Sequence, residues 1–271
     1  MKFLNYTFNF ILLSMVCVSC MRNPVTGKRE IVLVPTSMES QIGQEAYLSQ
    51  QEAEGGQLVG QDEVNEYVKT VGQKLVAVSD RPNLSFEFVV LNNPVPNAWT
   101  LPGGKIAINS GLLKELKSEA ELAAVLSHEI VHAAARHGVQ SIERNVAMQA
   151  AVAGVNAAME EHEYHDAAVA GASLGATLLH FKYSRKAEFE ADKYGMKYMS
   201  KAGYDVGAAV ELQKMFLRLS EGKESGWLEG LLASHPASQE RIQANEKTAG
   251  KLPKGGLIGD KEYKAVMKKL A

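Results

Sequence analysis

Cysteine is nearly absent: the 271 residues hold two, Cys17 and Cys20, both at the N-terminus. A domain beginning at Cys20 therefore has no pair for an internal disulfide, no catalytic thiol in its body and no thiolate site for a metal. Any ion must be held by His, Asp or Glu. No Pro/Ser-rich linker or shift in composition divides the chain after its first few tens of residues, and no repeat period stands out, which excludes a tethered array or a solenoid and leaves one domain. Charge of either sign is not in excess: the net value is −2, with Lys and Glu interspersed, so nothing favours nucleic acid as a partner. What is plentiful is apolar residues, at 46%, enough for an ordinary globular core.

The N-terminus has an export pattern: Lys2, an apolar stretch over residues 3–18, then Ser19 immediately before Cys20. It resembles a bacterial lipoprotein signal, in which the cysteine is lipidated and becomes the first mature residue. Cys17 stands where such signals usually carry Leu.

Residues 31–34, ended by Pro35, suit a short strand, and Ser37 is placed to cap a helix running towards Glu54. Val64, Val68, Val71, Leu75 and Val78 recur at three- and four-residue intervals, one buried helical stripe. Alternation at Leu84, Phe86, Phe88 and Val90, and again at Ile106 and Ile108, marks the strands. Residues 97–101 and 105–109 are expected to pair as a hairpin across Pro102-Gly103-Gly104. Beyond Gly111 the pattern is helical almost to the end, which makes the fold class α+β and mostly α. Residues 147–177 are rich in Ala and Gly around a polar cluster at 160–166. Each apolar half is shorter than the roughly 20 residues of a spanning helix, so close small-residue packing is expected, with an interfacial membrane-touching hairpin as the alternative.

Ser118 with Glu121 forms a capping-box signature, and the helix it starts is expected to run to Gly138. It carries His128-Glu129-Ile130-Val131-His132. Positions four apart lie about 40° apart around a helix, so both imidazoles point one way, as two ligands of a tetrahedral zinc must. Glu129 lies between them in angle, within reach of a water at the metal, where a carboxylate can take a proton and later give it to a leaving amine. A third ligand must come from elsewhere. Ala135 and Gly138 stand where the extended zinc motif has Gly and His, which excludes that class. His137, five residues after His132 on one helix, would point about 140° away. Glu188 is a good candidate, since Ser184 can cap a second helix that Gly203 ends, with Glu188 and Asp192 four apart on one face. One carboxylate would bind zinc and the other accept the free N–H of a ligand histidine. Glu190 points to the far side, as a surface residue or salt-bridge partner. Glu160, Glu163 and His165 remain rivals for the third position.

With these motifs the chain resembles the zinc metalloprotease family of HtpX, the CAAX prenyl endoprotease, the mitochondrial Oma-type protease and the periplasmic proteases BepA and LoiP. The resemblance covers Asn23-Pro24-Val25-Thr26-Gly27-Lys28-Arg29, residues 96–104, Ala135-Arg136-His137-Gly138, the Glu188 to Asp192 run, and Ser234-His235-Pro236 with Arg241. It implies a gluzincin-type domain in which His128, His132 and Glu188 bind one Zn2+, Glu129 is the general base and Asp192 lies behind a ligand. The membrane-spanning helices of HtpX and the CAAX enzyme have no counterpart here, and no helical-repeat tail follows residue 250. The expected organisation is a lipoprotein-type signal at 1–19, a tether with a short strand at 20–36, the protease domain at 37–250 and a helical tail at 251–271.

His235 and Arg241 allow two accounts. In one, Ser234 caps a short helix, Pro236 fills its first turn and Arg241 joins a charge network. In the other, His235 approaches the zinc cleft to stabilise an oxyanion or block the open position, with Arg241 supporting it. An exposed strand beside the metal, with Asn97, Ala98 and Trp99 as candidates, would pair with an extended substrate. The expected activity is a zinc metalloendopeptidase acting on unfolded or misassembled proteins of a bacterial cell envelope. The enzyme would be held through a lipid on Cys20 at the outer membrane, facing the periplasm. The alternatives are a chaperone-like binding protein with a closed zinc site and a zinc aminopeptidase, for which no acidic anchor motif is found.

Overall fold

The computed structural model describes residues 19–159, 183–221 and 229–270. The apolar part of the export signal and the rivals Glu160, Glu163 and His165 lie outside them, as does the whole polar cluster at 160–166. The fold is mostly helical with two small sheets.

An antiparallel hairpin opens it, β1 (Ser19–Arg22) against β2 (Arg29–Val32). Asn23 shapes the connection by accepting the N–H groups of Val25 and Thr26 at 3.0 Å each, leaving Gly27 to take the left-handed φ of 70°. Helix α1 (Thr36–Ala53) starts one residue before the expected cap. Pro35 holds the N-cap position with no side-chain hydrogen bond, so Ser37 falls inside the first turn. Helix α2 (Asp62–Val76) buries Val64, Val68, Val71 and Leu75 as the spacing predicts, while Val78 lies beyond its end.

The second sheet has the order β3 (Glu87–Leu91), β5 (Lys105–Asn109), β4 (Ala98–Leu101). The expected hairpin is there: β4 and β5 pair antiparallel, and Gly103 and Gly104 take φ of 78° and 87° between them. The β3–β5 pairing is parallel. All five residues of β5 are buried, since strands flank it and helices cover the sheet. Gly43 of α1 comes so close to this hairpin that a Cβ there would lie 1.8 Å from the Pro102 carbonyl oxygen.

After α3 (Ser110–Glu115) comes the central helix α4 (Glu119–Ala134). The Ser118 hydroxyl accepts the Glu121 N–H at 3.2 Å, and Glu121 accepts the Lys117 N–H at 2.6 Å. Thirteen of its 16 residues are buried, because helices α2 and α6 (Arg185–Lys201) and strand β4 surround it. It does not run to Gly138. Arg136 adopts a φ of 61°, and a new helix α5 (His137–Met159) begins at once, with Gly138 in its first turn. The left-handed conformation of a non-glycine residue costs about 1 kcal/mol or more. What holds it is the buried Arg136 side chain, whose Nε pairs with Glu39 and whose other nitrogen donates to the Val34 carbonyl at 2.7 Å.

Helix α6 is capped by Ser184, which accepts the Ala187 N–H at 3.2 Å, and ends before Gly203 at φ 85°. Helices α7 (Gly207–Glu221), α8 (Glu229–Ser234) and α9 (Gln239–Ala249) follow. Ser234 closes α8 and its hydroxyl donates to Leu231, so it is Ser238 that caps α9. Helix α10 (Asp260–Met267) packs back onto the core through Tyr263, which is 1% exposed and donates to the Leu113 carbonyl at 2.6 Å. Among the described residues no helix is long and apolar enough to cross a membrane.

Candidate metal centre

Helix α4 presents His128 and His132 from successive turns, α6 brings Glu188 from its first turn, and the segment between α8 and α9 brings His235. Their donor atoms form a compact figure. His128 Nε2 lies 3.0 Å from His132 Nε2, 3.2 Å from His235 Nδ1 and 3.4 Å from Glu188 Oε2. Glu188 Oε1 lies 3.3 Å from His132 Nε2 and 3.2 Å from His235 Nδ1. Donors about 2.1 Å from one tetrahedral cation are separated by about 3.4 Å; these contacts, made through both Glu188 oxygens, and the 4.8 Å within which all four donors lie suit one small cation. Lone pairs brought this close need a cation or protons among them.

Without a cation, protons take that role. Burial opposes a charge on His128, yet Glu188 and Asp192 beside it raise its pKa to about 10. Burial pushes His132 well below the usual histidine value despite its contact with Glu188. Against the effect of burial, His235 and His128 hold Glu188 well below the ordinary carboxylate range.

Behind the donors stand the groups that aim them. Asp192 Oδ1 lies 3.0 Å from His128 Nδ1. Arg241 grips Asp192 with two bonds, Nε to Oδ2 at 2.8 Å and a terminal nitrogen to Oδ1 at 2.7 Å, and reaches Glu188 at 3.0 Å. Burial raises the cost of a charged Asp192, but Arg241 outweighs it and lowers its pKa.

Glu129 is 2% exposed; its Oε2 accepts the Thr100 hydroxyl at 2.7 Å and its Oε1 faces His235 Nε2 at 3.6 Å. Strand β4 is the sheet edge beside it. Asn97 Oδ1 and Trp99 Nε1 on or next to that strand are buried without a hydrogen-bond partner, and Ala98 is 1% exposed. Tyr183 lays its ring on His132, centroids 3.7 Å apart, and donates to the Thr100 carbonyl at 3.0 Å. A cleft opens from His128, Glu129 and His235 over Val125, Met199, Leu212 and Phe216.

The motif residues thus converge, including Glu188 and Asp192 from one face of α6. Thr100 and Tyr183 had no distinguishing signal in the sequence. His137 is the clearest departure. The 140° separation holds only on a continuous helix, and the break at Arg136 returns its Nδ1 to 3.0 Å from His132 Nδ1. Glu190 is the salt-bridge partner expected, at 2.9 Å from Lys28, and it also faces His137 Nε2 at 3.4 Å.

The sequence model of Peptidase family M48 matches residues 62–249. The mitochondrial metalloendopeptidase OMA1 of Schizosaccharomyces pombe is 32% identical over 229 residues, 83% of this chain and 65% of that protein. A putative beta-barrel assembly-enhancing protease of Vibrio cholerae is 33% identical over 196 residues, 70% of this chain and 40% of that protein. The beta-barrel assembly-enhancing protease of Escherichia coli K12 is 26% identical over 211 residues, 74% of this chain and 43% of that protein. The chain therefore spans less than two thirds of the length of these relatives. The match across the whole site-bearing region, together with the cluster it encloses, shows that this chain belongs to Peptidase family M48, a metallopeptidase family.

Proposed function

We propose that the protein is a zinc-dependent endopeptidase that cleaves unfolded or misassembled proteins of a bacterial cell envelope. The observation that carries this is the close quartet of donors with Glu129 at its side. In this reading His128, His132 and Glu188 hold one zinc ion. When bound there, zinc supplies Lewis acidity towards a water molecule and a peptide carbonyl. Glu129, fixed through one oxygen by Thr100, accepts the proton of the attacking water on the other and returns it to the leaving amine. Arg241 and Asp192 keep His128 Nδ1 protonated and its Nε2 turned inward. The substrate backbone lies along β4 at Asn97, Ala98 and Trp99, and the neighbouring cleft takes an apolar side chain.

His235 supplies the fourth corner, where a nucleophilic water would have to sit, so we assign this arrangement to a resting state that His235 keeps closed. The same feature supports the second reading, a binding protein for unfolded chains whose zinc site stays shut. Envelope residence draws on the export pattern, the exposed Cys20 as lipid attachment point and the names of the bacterial relatives. Attachment at the outer membrane, facing the periplasm, is the placement consistent with them.

Incubation with an unfolded protein such as casein, followed by mass spectrometry, separates the readings. New N-termini inside the substrate, lost by at least about a hundredfold in Glu129→Gln while zinc stays near one per chain, are expected. Binding without new termini would favour the second reading, and full activity of Glu129→Gln would defeat the assignment.

A further inference from the structure

His137 and Glu190 lie outside the donor quartet and take no part in the reaction proposed above. Neutral imidazole has one N–H and one lone pair, so His132 can offer Nε2 to a metal only if its proton sits on Nδ1 and finds an acceptor there. That acceptor is His137 Nδ1, 3.0 Å away. To accept, His137 must carry its own proton on Nε2, a buried atom with no hydrogen bond formed, whose nearest carboxylate is Glu190 Oε2 at 3.4 Å, within ion-pair distance. Glu190 in turn is held by Lys28 at 2.9 Å.

His137 reaches this place because the chain turns back at residues 135–137, and the N-terminal loop fixes that turn. The Ala135 carbonyl accepts the Asn23 amide at 2.8 Å and the Gln140 amide at 2.9 Å. Glu30 Oε2 holds both amides from the other side, at 3.0 and 2.9 Å. Asn23 and Lys28 belong to the Asn23–Arg29 motif and Glu30 follows it directly, and the proposed reaction has no use for any of the three.

We propose that His137 and Glu190, clamped by Asn23 and Lys28 of the hairpin loop and by Glu30 of β2, are positioning residues that fix His132 with its Nε2 towards the zinc. Each ligand histidine then has its own line of support: Arg241–Asp192 behind His128, and Lys28–Glu190–His137 behind His132. The second line makes the zinc site depend on the segment joining the domain to its N-terminal attachment point.

The inference rests on zinc at His132 and is tested on the full chain by competition with a chromophoric chelator, alongside urea unfolding of the metal-free forms. His137→Leu and Glu190→Ala should weaken zinc binding about 10- to 100-fold. His137→Gln, whose amide oxygen can accept from His132 and whose NH2 can donate to Glu190, should recover most of that loss. Lys28→Ala, at an exposed position, should lose only a few-fold. The proposal is overturned if His137→Leu and Glu190→Ala bind zinc within twofold of the wild type. It is equally overturned if His137→Gln is no better than His137→Leu, which is the signature of packing alone. If His137→Leu does not fold, the Glu190→Ala and Lys28→Ala pair decides. A wild-type chain that binds no zinc removes the reading of the site itself, whereas zinc-bound wild type with unaffected variants removes this inference alone.

Discussion

His235 touches both functions of the site at once: its Nδ1 joins the donor quartet and its Nε2 lies 3.6 Å from the oxygen of Glu129 that must take a proton. Substrate water and His235 cannot share that corner. Removing the imidazole should therefore open the site, and His235→Ala should hydrolyse casein up to about tenfold faster than the wild type, the gain being the closed fraction released. A fall in turnover at unchanged zinc content would instead make His235 an aid to the oxyanion.

Glu190 makes the stability of the protein depend on pH. Its folded pKa is depressed from 4.5 to about 2, so its contribution is fully present above about 4.5 and is lost as pH falls towards about 2. Metal-free Glu190→Gln should be less stable than the wild type near neutrality by about 1 kcal/mol, after allowing for solvent screening on the Lys28 side. Urea unfolding followed by circular dichroism should show that gap closing between pH 4.5 and 2. A gap that stays constant would mean the charge contributes nothing.

At the scale of elements, the break between α4 and α5 matters more than any single helix. It is held by Arg136, 2% exposed, against a Glu39 that is fully buried and shared with Arg81 at 2.7 Å. Arg136→Ala leaves Glu39 with one partner in place of two and should cost about 3 kcal/mol, read as a lowered urea midpoint. An unchanged midpoint would show that the bend holds itself. The sequence announced what repeats or caps locally: the stripe of α2, the Ser118 and Ser184 caps, and the hairpin across Pro102-Gly103-Gly104. It placed His128, Glu129 and His132 because a four-residue spacing is fixed by helix geometry. Spacing alone leaves Glu188 one of several candidates, since periodicity says nothing about which distant helix packs on α4. The parallel β3–β5 pairing and the turn at Arg136 were illegible for the same reason. Both depend on contacts between segments far apart in the chain, and Arg136 is a residue type that rarely takes a positive φ.

Across the whole molecule, one buried helix is the reference frame. Helix α4 carries two donors, α6 crosses it to deliver Glu188 and Asp192, β4 lies along it to hold Glu129 through Thr100, and the N-terminal hairpin clamps its end at Ala135. A resting site closed by its own His235 explains how a protease could share a compartment with the proteins it is proposed to cleave. X-ray absorption at the zinc edge, on the resting full chain and on His235→Ala, tests this account most directly. Four light-atom neighbours at about 2.0–2.1 Å, three of them imidazoles in the wild type and two in the variant, are predicted. Two imidazoles in both proteins, or zinc that survives loss of Glu188 unchanged, would contradict it.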